Sequence, residues 1–222
     1  MGKQKILVGS GNKKKLAELA ALSATLPIEI LTPADLPDGL PEVDEDKDSF
    51  VDNAMKKARA FAEAAAEQLG EGIWALADDS GLMVDALEGA PGVHSARYAG
   101  ECHDLPAHAR DLANNNKLLE AMQFLGEGER EAAFKCVIAV ADSKQPLFAV
   151  EGLVAGCILT EPDGEDGFGY DPLFYHEGSG KTFARLSAAE KAAISHRGQA
   201  MARLQVLLES VRSEEYTSEL QS

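Results

Sequence analysis

Apolar positions along the chain alternate between short β-rich runs and stretches with helical spacing. Lys5–Gly9 is a short β-rich run ending in glycine, the pattern of a buried first strand. Asn12 stands where a cap would open a helix from Lys13 to about Leu26, closed off by Pro27, and Ile28–Leu31 reads as a second strand. From Thr32 to Asp48 prolines and acids follow one another without a period, which predicts a loop. Ser49 and Asp52 have capping-box spacing, and Phe50, Ala54, Ala58, Phe61, Ala65 and Leu69 recur behind them at helical intervals. They predict a helix from about 49 to 69, ending at Gly70.

Ile73–Ala77 predicts a third strand running into Asp78-Asp79-Ser80-Gly81, followed by a short apolar piece, Leu82–Leu87. Glu88–Asp104 is rich in glycine and histidine and reads as an exposed loop, with His94, His103 and His108 as loop residues lacking a metal-ligand spacing. A helix is predicted over Pro106–Leu125. Ala132–Ala141 and Leu147–Ile158 are β-rich and joined by five residues containing Pro146, the pattern of an antiparallel hairpin. Asp163–Asp171 is a glycine-rich acidic loop, and a helical pattern returns from Ser187, with Met201, Leu204, Leu208 and Val211 on its apolar face. This order predicts an α/β fold, a mixed sheet flanked by helices rather than a purely parallel doubly wound one.

Composition narrows the class. A chain of 222 residues is one large domain or two lobes sharing a core. The net charge of −16 repels a phosphate backbone, so a duplex nucleic-acid partner is not expected. No window approaches ~18 uninterrupted apolar residues, so no membrane span is expected, and the opening residues lack the pattern of a signal peptide. Cys102, Cys136 and Cys157 are widely spaced and read as reduced thiols of a cytoplasmic protein. Trp74, in a strand pattern, reads as core.

Five places could carry chemistry. Ser10-Gly11-Asn12-Lys13-Lys14-Lys15 lies between a predicted strand and helix, where exposed backbone N–H groups and lysines suit phosphate oxygens; a plain βα turn is the alternative. Asp79 and Ser80, after a strand end, could hold Mg²⁺ through oxygen, or simply cap a turn. Asp44-Glu45-Asp46 is either a solvated acidic cluster or a second metal ligand, the latter only if the loop meets Asp79 in space. In Asp166–Pro172 two glycines flank Phe168, whose ring could stack on a base or be buried. Lys191 and His196 would lie ~140° apart on one straight helix, so they converge only if the chain breaks near Ser195, which Gly198 permits.

Together SGNKKK, SFVDNAMKKA, LADDSGL, GAPGVHSARYAG, DGFGYDPLF and LSAAEKAAISHRGQA resemble, in order and spacing, the non-standard purine NTP pyrophosphatases, the inosine triphosphatase-like or dITP/XTP pyrophosphatase enzymes. The resemblance runs from about Ile6 to Leu208. It implies a single domain over 1–212, of two α/β lobes around a long mixed sheet with the active site in the cleft between them. It also implies a homodimer, Mg²⁺ dependence, and cleavage of ITP, dITP or XTP to the monophosphate and pyrophosphate. By the same resemblance Ser10, Gly11, Asn12, Lys13, Lys14 and Lys15 bind the triphosphate, Asp79 is the acid–base residue and metal ligand, and Ser80 contacts substrate. Lys57, like Lys13, falls near the phosphates, while Phe168, Gly169, Tyr170, Asp171, Lys191, His196 and Arg197 hold the nucleotide and its base.

Two departures accompany it. Asp44 and Glu45 stand where the family often has paired glutamates, so either could ligate the metal, and Asp52 replaces a common glutamate. Residues 213–222 match nothing in the family and are expected to form a disordered or foreign tail. The rival from another class is a non-catalytic nucleotide-binding protein; within enzymes it is a pyrophosphatase acting on modified pyrimidine or methylated nucleotides.

Overall fold

The computed structural model describes residues 3–9, 28–100 and 105–219, with side chains given to Ser210 along the last helix. The expected helix from Lys13 and the turn Ser10, Gly11, Asn12, Lys13, Lys14 and Lys15 lie outside the described residues, as do Cys102 and His103. The strands are β1 (Gln4–Val8), β2 (Ile28–Leu31), β3 (Trp74–Val84), β4 (Glu131–Ala141), β5 (Pro146–Ile158), β6 (Phe174–His176) and β7 (Lys181–Thr182). Their order in one sheet is β2-β1-β3-β4-β5-β6-β7. β1 is parallel to β2 and β3, with Ile6 opposite Ile30 and Trp74, whereas β6 is antiparallel to β5 and β7. The sheet is mixed, as the element order predicted.

β4 and β5 are neighbours joined by residues 142–145, where the Asp142 carboxylate accepts the Lys144 and Gln145 N–H groups, each at 2.8 Å. So short a connection cannot make a parallel crossover, so the pair is a hairpin. The helices are α1 (Phe50–Leu69), α2 (Ala107–Ala121), α3 (Ala188–Ile194) and α4 (His196–Glu219). Ser49 caps α1 by accepting the Asp52 N–H at 3.2 Å, and Gly70 closes it with φ 101°.

The chain divides into two compact units. The first comprises Met1–Asp79, Val137–Glu151 and Ala200–Ser222. Its buried residues include Ile6, Leu7 and Val8 of β1 and Ala54, Ala58, Phe61, Ala62 and Ala65 on one stripe of α1, which packs against β1. The second comprises Ser80–Cys136 and Gly152–Gln199. Its core gathers Leu82, Val84, Leu118, Met122, Phe134, Leu173, Phe174 and Phe183. Phe134 stacks on Phe183 with centroids 5.7 Å apart, and Phe174 meets both rings.

Two expectations change. Asp78-Asp79-Ser80-Gly81 does not follow a strand end but lies inside β3, which continues through Val84 and absorbs most of the short apolar piece. β1 pairs with β3 only as far as Leu76, and beyond it β4 is the neighbouring strand, whose ladder outweighs the turn preference of the Asp-Ser-Gly. Within the expected 88–104 loop, Gly92–Arg97 forms a 3-10 turn that contains His94, and His108 lies in the first turn of α2. α4 runs to Glu219.

Candidate active site

Asp79, in the middle of β3, is 7% exposed, so its carboxylate is withdrawn from water. Asn53, Lys56 and Lys57 share one stretch of α1 and grip the acidic loop that precedes it. Asn53, fully buried, accepts the Lys47 N–H at 3.0 Å and donates to the Lys47 carbonyl at 3.2 Å. Lys56 Nζ donates to the Asp44 carbonyl at 2.9 Å and to Asp46 Oδ1 at 2.8 Å. Lys57 Nζ donates to Glu45 Oε1 at 2.5 Å and lies 3.6 Å from Asp79 Oδ1. The Lys57 ammonium therefore links Glu45 to Asp79, while Asp44 is exposed and uses its carbonyl on the neighbouring lysine.

Burial pushes the Asp79 carboxyl above the ordinary carboxylate range. The Lys57 charge opposes this, the Glu45 charge adds to it, an Asn53 hydrogen bond opposes it, and the Asp78 charge adds. Asp79 Oδ2 is buried and has no hydrogen-bond partner. Leaving a buried acceptor so costs on the order of 1–3 kcal/mol. Magnesium takes oxygen ligands and is typically held by one or two carboxylates with waters and phosphates. Asp79 and Glu45 fit that description, and among the described residues no group of three or more His, Cys, Asp and Glu side chains gathers as a metal cage.

A second constellation lies in the other unit. Gly167 has φ +90°, and a Cβ there would fall 2.2 Å from Asp171 Oδ2, so only glycine lets this loop close on that carboxylate. Asp171, 2% exposed, accepts the Phe168 N–H at 2.8 Å and pairs with Lys191. Gly169 donates its N–H to Asp111 Oδ2 at 2.8 Å, and its carbonyl accepts from Asn115 Nδ2 at 3.0 Å. Tyr170 turns inward and donates its hydroxyl to the Ser95 carbonyl at 2.9 Å, burial pushing its phenol well above the ordinary value. The Phe168 ring points out, at 51% exposure, with Lys191 Nζ 4.8 Å and the Arg197 guanidinium carbon 5.9 Å from its centroid.

That convergence depends on a break between helices. Ser187 and Glu190 cap α3 reciprocally, at 2.8 and 3.3 Å. Ser195 is extended, with ψ 158°, and its hydroxyl accepts the Gly198 N–H at 3.1 Å to open α4. A Cβ on Gly198 would lie 1.8 Å from the Ala192 carbonyl oxygen, so the junction requires glycine. On one continuous helix Lys191 and Arg197 would face different directions. His196, 6% exposed, stacks on Phe134 at 4.8 Å with 13° between planes.

Comparison with known proteins gives a coherent assignment. The profile of the Ham1 family matches residues 6–207. The chain belongs to the Ham1 family. It is 46% identical over 204 residues to the dITP/XTP pyrophosphatase of Desulforamulus reducens, covering 92% of this chain and 95% of that protein. It is 42% identical over 213 residues to the dITP/XTP pyrophosphatase of Escherichia coli, covering 95% and 99% respectively. Among solved structures, a HAM1 protein from Coxiella burnetii superposes with a TM-score of 0.81 at 40% identity, over 93% of this chain and 98% of that one.

In this Ham1 chain the structure brings Glu45, Lys57 and Asp79 together, and separately Phe168, Asp171, Lys191 and Arg197. It leaves the Asp44 carboxylate outside the first group, and Ser80 is half-buried in β3 directly after Asp79. Tyr170, Asp171 and His196, expected at the nucleotide, are buried. Asn53, Asp111 and Asn115 were not singled out from sequence. Asn53 carried a signal, a polar residue on an otherwise apolar helical stripe; Asp111 and Asn115 carried none, since polar residues on a surface helix are ordinarily solvated.

Proposed function

We propose that this chain is a dITP/XTP pyrophosphatase, hydrolysing dITP, ITP and XTP to the nucleoside monophosphate and pyrophosphate with Mg²⁺. The observation that carries the reading is Asp79 of β3: a buried carboxylate, one oxygen unpartnered, beside Lys57 and Glu45. The 46% identical relative named as a dITP/XTP pyrophosphatase supports the substrate class.

Asp79 orients a water for in-line attack on the α-phosphorus and accepts its proton. The new bond joins the water oxygen to the α-phosphorus; the bond from that phosphorus to the bridging oxygen breaks, and pyrophosphate leaves. Lys57 supplies positive charge toward the phosphates, and Lys13 has the same role by resemblance. Asp79 and Glu45 would hold Mg²⁺, which when bound neutralises charge developing on the leaving group. Phe168 stacks on the purine, and Lys191 and Arg197 present donors toward the 6-oxo group of hypoxanthine or xanthine. Adenine, with an amino group there, leaves those donors unmet, whereas guanine shares the 6-oxo group and is disfavoured at its 2-amino group. The reading carries with it the homodimer and the cytoplasmic location that the resemblance implies.

Product analysis with dITP, XTP, dGTP and dATP, with and without Mg²⁺, tests this alongside Asp79→Asn. Pyrophosphate from dITP and XTP only, requiring Mg²⁺ and falling about 10²–10⁴-fold in the variant, is the expected result. Orthophosphate as first product would overturn the mechanism.

A further inference from the structure

The aromatic loop owes its shape to a helix that makes no appearance in the chemistry above. Asp111 and Asn115 stand four residues apart on α2 and so share one face. Between them they take both polar groups of a single residue, Gly169. The next residues inward are fixed as firmly: the Phe168 N–H goes to Asp171, and the Phe168 carbonyl accepts the Asp171 N–H at 3.3 Å. Both backbone polar groups of Gly169 are engaged by α2, and the neighbouring Phe168 ring is exposed.

Stability alone does not account for Asn115. It is 7% exposed, and its Oδ1 is buried without a partner. An apolar residue of similar size would avoid the cost of about 1–3 kcal/mol that an orphaned acceptor carries. What an apolar residue cannot do is donate to the Gly169 carbonyl. Asp111 complements it by accepting the Gly169 N–H, so the two side chains hold the peptide groups on either side of Gly169.

We propose that Asp111 and Asn115 are positioning residues that set purine selectivity, clamping Gly169 so that the Phe168 ring stands at a fixed place beside Lys191 and Arg197. The inference rests on the proposed function and names the selectivity determinant of that same site. A base then meets a preformed ring and donor set instead of ordering them on binding.

Steady-state kinetics with dITP and dGTP, together with melting temperature and hydrogen–deuterium exchange over residues 164–173, test it in wild type, Asp111→Ala, Asp111→Asn, Asn115→Ala and Asn115→Asp. Loss of the clamp raises KM for dITP roughly 10- to 100-fold, with kcat little changed, and lowers the preference for dITP over dGTP. Exchange at the loop rises in the same variants. Asp111→Asn, which keeps an acceptor, stays close to wild type, whereas Asn115→Asp, which cannot donate, behaves like Asn115→Ala; this pair separates positioning from simple loss of fold. Unchanged preference in both alanine variants, or a fall in kcat with KM held, overturns the inference while leaving the proposed function standing. A wild-type protein that hydrolyses no purine triphosphate overturns the proposed function, and the selectivity claim with it.

Discussion

Asn53, Lys56 and Lys57 hold the acidic loop to α1, and Asp111 and Asn115 hold the aromatic loop to α2; in both, residues three or four apart on a helix grip loop backbone. The two regions differ in what they leave unmet. Around Asp79 the unmet demand is electrostatic: a buried oxygen with no partner, and two carboxylates on either side of one ammonium. Around Phe168 the backbone groups of Phe168 and Gly169 are engaged, and an exposed apolar ring is edged by two cations. A region of the first kind is suited to act on a charged group, and one of the second kind to recognise a flat one.

Changes that cross this division sharpen it or break it. The largest expected effect comes from Lys57→Ala, which removes the cation shared by Glu45 and Asp79. It should lower kcat by about 10²-fold or more, read as pyrophosphate release under saturating substrate. An unchanged kcat would mean that the Lys57 charge serves only the resting protein. Phe168→Ala comes next: loss of one stacking surface should raise KM for dITP roughly tenfold or more with kcat held. A kcat effect as large as that of Lys57→Ala would dissolve the distinction between the two regions.

The smallest effect is on stability and runs against activity. Because burial raises the Asp79 carboxyl in the folded chain, its contribution to stability is present below the unfolded value and lost as pH climbs through the folded one. At neutral pH without metal, the ionised side chain therefore weakens the fold. Asp79→Asn should melt a little above wild type at pH 7 in chelator, and the gap should close as pH falls toward 3.8. A variant that melts lower at neutral pH would show that pairing with Lys57 outweighs burial.

What could be read from sequence follows from where each signal resides. The break between α3 and α4 was legible because Ser187, Glu190, Ser195 and Gly198 act within a few residues of one another. The hairpin of β4 and β5 was legible for the same reason. The course of β3 was not: Asp78-Asp79-Ser80-Gly81 has the composition of a turn, and only neighbouring strands remote in sequence keep it extended. That Lys57 pairs with Glu45 beside Asp79 likewise depends on contacts at a distance, with Asn53 and Lys57 fixing the loop's path. Asp111 and Asn115 were invisible because the residue they hold, Gly169, is more than fifty positions away.

Carrying Asp79 on the inside of a strand has a consequence for how this chain can change over time. Side chains on a strand alternate between faces, so the acid's direction is set by whether the count of residues ahead of it is odd or even. A single codon gained or lost between Trp74 and Asp78 would bring Asp78 or Ser80 to the buried position and send Asp79 to the opposite face. Substitutions can be absorbed here one at a time, but a change of length cannot be graded. The reading frame of the pleat is inherited whole.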